Sequence, residues 1–81
     1  NQDLLQLHSI EIKEYFFANN NKISELFIKN CDIEIQYIRR PNMLENIEPR
    51  PDIVISSGDI LVVVGTQVNL NLFEKYVING D

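Results

Sequence analysis

Eighty-one residues give room for one small core and exclude a multidomain enzyme. Seven Lys or Arg against twelve Asp or Glu leave a net charge of −5, which argues against a surface that gains affinity by neutralising phosphates, so no nucleic acid partner is expected. The longest apolar run, Ile60 to Val64, is far short of the roughly 20 residues that a membrane-spanning helix needs.

Hydrophobic and charged fractions of 44% and 23% are those of a folding chain. A domain of this size buries only about 60% of its unfolded surface, so self-association is a natural supplement. Cys31 is the single cysteine; it cannot form an intramolecular disulfide and fits a reducing, cytoplasmic setting. The chain opens on Asn1-Gln2-Asp3 without an initiator Met or a basic leader, and is expected to be one domain, 1–81, of a longer protein.

In chain order, Leu7 to Glu14 alternates, with His8, Ile10 and Ile12 on one parity, and reads as a half-buried strand. Asn19-Asn20-Asn21 is turn chemistry, and Ile23, Leu26 and Phe27 then recur at helical spacing, predicting a short helix that ends near Asn30. Asp32 to Arg39 predicts a second strand, with Ile33, Ile35 and Tyr37 on one face and Glu34, Gln36 and Ile38 on the other. Pro41, Pro49 and Pro51 make the intervening stretch an edge strand or an extended loop, because proline cannot donate to a ladder.

Ile53-Val54-Ile55, the turn Ser56-Ser57-Gly58-Asp59 and the run Ile60 to Val64 read as strand, tight turn and strand, the last buried on both faces. Gly65 ends that strand, and Thr66 offers an N-cap. Val68, Leu72, Phe73, Tyr76 and Val77 form the stripe of a closing helix.

Candidate chemistry is sparse. His8, the only imidazole, shares the parity of Ile10 and Ile12 and is expected to be a packed or hydrogen-bonded strand histidine. Cys31 reads as a small structural thiol, and the pairs Glu11 with Glu14 and Glu45 with Glu48 as surface charge. Neither GxGxxG nor GxxxxGK[ST] occurs, so Gly58 is a turn glycine rather than part of a phosphate cradle. Arg39, Arg40 and Arg50 hold three of the seven cations and form the one cluster with ligand potential, since Arg clamps phosphate or carboxylate bidentately. The alternative for the same residues is a salt-bridging strand end.

Taken in order, Ile10-Glu11-Ile12, the segment from Asn20 to Leu26, Ile38-Arg39-Arg40, Pro49-Arg50-Pro51-Asp52 and the run from Gly58 through Asp59 to Gly65 resemble the C-terminal domain of regulators of potassium conductance. This is also called the TrkA C-terminal or RCK-C domain. The family usually has Gly where this chain has Asn20, a change that Asn's tolerance of left-handed backbone accommodates.

The resemblance implies an α+β fold: a small mixed β-sheet with a short helix after the first strand, a β-hairpin and a C-terminal helix. It implies a regulator rather than an enzyme. The expected setting is a homodimer on the cytoplasmic side of the inner membrane, acting on the membrane-embedded portion of a prokaryotic potassium channel, potassium transporter or cation antiporter. Some members hold cyclic di-AMP between two protomers, in part through a basic residue at a position that here falls at about Phe17; for such a ligand this chain offers Arg39, Arg40 and Arg50. A soluble sensor fused to a transcription regulator and a dimerisation module without ligand are the alternative readings.

Overall fold

The computed structural model describes residues 4–27 and 31–81. The β-branched run does what its composition asks: β3 (Ile60–Gly65) lies at the centre of a three-stranded sheet, between β1 (Gln6–Glu11) and β2 (Ile33–Arg39). Leu61 and Val63 on one face and Val62 on the other are buried, while Ile60 and Val64 are half-buried, so the run is buried on both faces only at its middle. Helix α1 (Gln67–Asn79) follows at once, capped by the Thr66 hydroxyl, which accepts from the Asn69 amide, and closed by Gly80 in the left-handed region. The α+β class is therefore as the resemblance implies. The sheet itself is antiparallel throughout, not mixed, because both outer strands run against β3.

Strand alternation sorts the side chains onto two faces. Ile10, Ile35, Ile38, Leu61 and Val63 face the helix and form one core with Leu70, Phe73 and Val77. By register, the opposite face carries Leu7, Ser9 and Glu11 on β1, Val64, Val62 and Ile60 on β3, and Glu34, Tyr37 and Arg39 on β2. No helix among the described residues covers that outer face.

The hairpin expected from Ile53 to Val64 is not formed. Both edges of β3 are already taken by β1 and β2, so Ile53-Val54-Ile55 pairs instead with the segment after the asparagine tract: Asn20 N donates to Ile55 O at 2.7 Å, Ile55 N to Asn21 O at 2.8 Å and Ile23 N to Ile53 O at 2.9 Å. The turn is real. Gly58, at φ 93°, donates its amide to Ile12 O at 2.8 Å and so ties the turn to the end of β1. There Ile12 N in turn donates to Asp59 O; the first strand stops at Glu11 rather than Glu14 because β3 has run out.

The predicted parity of β2 fails beyond Ile35. A bulge between Ile35 and Tyr37 inserts one residue and swaps the faces, so Ile38 joins Ile35 in the core while Tyr37 turns outward. The short helix is a single 3-10 turn, Ile23–Leu26, in which the Lys22 amide donates to the Glu25 carboxylate at 2.7 Å. Phe27, assigned to its apolar stripe, is extended and exposed; the predicted end at Asn30 lies outside the described residues. Asn20 takes the left-handed backbone at φ 72°. On α1 the buried stripe is Leu70, Phe73 and Val77, with Val68 and Leu72 exposed. The stripe is rotated because positions i, i+3 and i+7 already meet the sheet.

Phe73 is 1% exposed at the middle of this core, so Phe73→Ala should cost about 3–5 kcal/mol in urea unfolding. Val62→Asp, at a buried position of the central strand, leaves a carboxylate without a partner and should abolish a cooperative melt. Retention of a near-parental melting temperature in either variant would show that the strand and helix do not share one core.

Candidate functional site

Arg39 ends β2 and Arg40 follows it directly, and the extended backbone sends their side chains to opposite sides. Arg40 turns inward. Its Nε donates to Asp59 Oδ1 at 3.0 Å and its Nη2 to Asp59 Oδ2 at 2.9 Å, a bidentate fork; Nη2 also donates to Val54 O at 2.9 Å. Asp59 is 1% exposed, and its carboxylate accepts a further hydrogen bond from the Ser56 amide at 2.9 Å. Hydrogen bonding to Asp59 pushes the Arg40 guanidinium pKa up, against the opposing effect of burial.

Arg39 remains on the outer face, exposed and without an ion-pair partner among the described residues. It borders an open groove of about 400 Å³ at this end of the sheet, together with Tyr37, Arg40, Leu44, Glu45 and Ile60. Pro41 seals one side against Gly58, where a Cβ would come within 3.2 Å of the proline ring. Arg50 stands apart from the groove lining, in exposed pairs with Glu48 at 3.8 Å and Asp52 at 3.9 Å. The three arginines thus have three situations: a structural fork, an exposed groove residue and a solvated surface pair.

The residue that sequence reasoning missed is Asp59, read only as part of a turn. Its signal was the basic residue at the end of the preceding strand, a partner that only the fold brings near. His8 lies at the strand surface, 3.5 Å from Glu74 with both side chains about 40% exposed. Cys31 is half-buried, its thiol donating to Asn69 O at 3.3 Å. Among the described residues no three His, Cys, Asp or Glu come together as metal ligands, and no helix is long and apolar enough to cross a membrane.

Arg40→Ala strands the Asp59 carboxylate in the interior and should cost about 3 kcal/mol, the low end for a broken buried pair, since Arg40 itself is 31% exposed. Arg39→Ala, at a surface position, should stay within about 0.5 kcal/mol of the parent; denaturant titration of the two side by side checks the division. Burial first, and the Asp32 carboxylate second, push the Cys31 thiol pKa up. Alkylation at pH 8 should therefore be slower than for the urea-unfolded chain. The same shift gives a stabilising contribution that is complete below the unfolded thiol's ordinary pKa and fades as pH rises through the raised one.

Comparison with known proteins sets this geometry in a family. No curated protein matches the chain. Among solved structures, one described as "Structure of RCK domain with cda" superposes with a TM-score of 0.70 and 27% identity over 88% of this chain and 96% of its own. A second, "Crystal Structure of the GsuK RCK domain", has a TM-score of 0.69 at 20% identity. It shares the fold, and the present chain spans 93% of itself but 16% of that protein. The TrkA-C domain matches residues 19–78, a stretch that holds the asparagine turn, the Arg40–Asp59 fork, β2, β3 and nearly all of α1, and this chain belongs to the TrkA-C domain family, whose members are regulatory domains of potassium transport.

Proposed function

We propose that the chain is the dimerising, ligand-responsive regulatory domain of a prokaryotic potassium channel, potassium transporter or cation antiporter, placed on the cytoplasmic side of the membrane. The family match over residues 19–78 carries the reading. Dimerisation is supported by the outer sheet face, where Leu5 and Leu7 stand 70% and 67% exposed beside the half-buried Ile60 and Val64 of β3. Apolar surface of that kind on a domain this small marks an interaction site. In this role the domain binds and moves; the chemistry of transport belongs to the membrane-embedded portion it regulates.

The ligand half of the proposal rests on Arg39. Its exposed guanidinium borders a groove floored by Tyr37 and Ile60, a combination suited to an anionic ligand with a flat apolar part. The 27% identical RCK domain whose description names cda supports a ligand of this kind, and cyclic di-AMP is the probe of choice. Arg40 takes part by holding the end of β2 in place, while Arg50, in its exposed pairs with Glu48 and Asp52, stands outside the groove.

Light scattering at micromolar concentration should read twice the 9.4 kDa mass of one copy. Calorimetric titration with cyclic di-AMP should give micromolar binding that Arg39→Ala removes. A clean monomer at high concentration would overturn the regulator reading, and absence of heat would remove the ligand and leave a dimeric transmission element.

A further inference from the structure

Two hollows lie on the same uncovered face, at opposite ends of β2 and β3. The first is the groove of about 400 Å³ beside Arg39, with Leu44 standing fully exposed at its rim. The second, about 160 Å³, is bounded by Leu5 and Val64 and by the carboxylates of Asp32 and Glu34. Glu34 and Val64 at one hollow and Tyr37, Arg39 and Ile60 at the other share the outer parity, which places both hollows on one surface. From Ile60 to Val64 is four strand steps, or about 13 Å, so one interface can span both.

Their chemistries differ where the sheet face carries them. On the outer face of β2 one end offers the Arg39 guanidinium, with Glu45 and the apolar knob of Leu44 in the loop beyond it; the other offers the carboxylates of Asp32 and Glu34 and an apolar hollow. We infer that two copies of this chain dock face to face through the outer sheet surface, the Arg39 end of one lying over the Glu34 end of the other. The inference rests on the dimer reading above and specifies its interface.

A two-fold axis lying in the interface and perpendicular to the strands produces this arrangement. It keeps β2 over β2 and reverses strand direction, so Arg39 meets Glu34 of the second copy and Leu44 meets the hollow beside Leu5 and Val64, each twice. Strands then run within the small angle usual for stacked sheets. The other symmetric choice, an axis along the strands, lays the Glu34 carboxylate on Leu7, an apolar partner that leaves the charge unsatisfied. A standard interface takes about 800 Å² from each partner. That is about one seventh of the 5450 Å² accessible surface, a share that one broad face of a body measuring 37 × 26 × 20 Å supplies. In the dimer Arg39 serves the second copy, so an anionic ligand has to share or displace that contact, which links ligand binding to docking through one guanidinium.

Sedimentation of the chain and of four surface variants provides the test. Arg39→Glu, Glu34→Arg and Leu44→Asp should each weaken dimerisation by about tenfold or more, while the double variant Arg39→Glu with Glu34→Arg restores it; unchanged thermal melts show that folding is intact. Dimers that persist in all single variants overturn this docking and leave the dimer reading standing. Loss without restoration in the double variant also overturns it. A parent chain that is monomeric to high concentration overturns both, and one that is monomeric but binds the membrane-embedded portion through Leu44 assigns the face to that partner instead.

Discussion

One buried carboxylate organises this domain. Asp59 has almost no contact with water, and a charge in that position persists only if it is paired and hydrogen-bonded. The fold meets the requirement with the Arg40 fork and the Ser56 amide. Each partner comes from a different piece of chain, so satisfying the charge fixes where β2 ends, where the turn sits and where β3 begins. The Arg40 bond to Val54 O extends the same constraint to the Ile53–Ile55 segment, which its backbone bonds to residues 20–23 and the burial of Ile55 already hold in place. Packing alone would tolerate small slides of these segments; a bidentate fork does not.

The same constraint explains how two adjacent arginines come to differ. Strand alternation separates Arg39 from Arg40 by a half-turn, and only the inward one can reach Asp59. Rigid placement of Arg40 holds the backbone of Arg39 in turn, so the exposed guanidinium projects from a fixed point on the sheet rather than from a loose loop. A regulatory domain needs such a point, since a contact that wanders transmits little.

Much of the architecture was legible from residue pattern. The β-branched run at Ile60, the alternation at Ile10 and Ile12, the Thr66 cap and the left-handed Asn20 each depend on local chemistry and appear where that chemistry puts them. What was not legible depends on partners distant in the chain. The segment Ile53–Ile55 has the composition of a hairpin arm, and only the occupation of both β3 edges sends it elsewhere. The bulge after Ile35 leaves one mark, the apolar Ile38 on the parity of Glu34 and Gln36, which by itself does not say where the extra residue goes. Of the site, the cationic cluster was visible, but its division was not: Arg40 and Arg50 look alike until Asp59 is found beside one of them, and the acid itself sits in what reads as an ordinary turn.

The position of β3 in the chain has a bearing on how the molecule comes to exist. Both outer strands have their ladder with it, β2 adding only the short bridge of Ile38 to Ile47, and Leu61 meets Ile10 from the far end of the chain. During synthesis the first two strands therefore emerge before the strand that carries their ladder, and loop-closure entropy must be overcome at one late moment when the central strand arrives. Assembly of the sheet is in this sense a single event, gated by the last third of the chain. A ribosome paused before Ile60 holds two apolar strands still in search of the third.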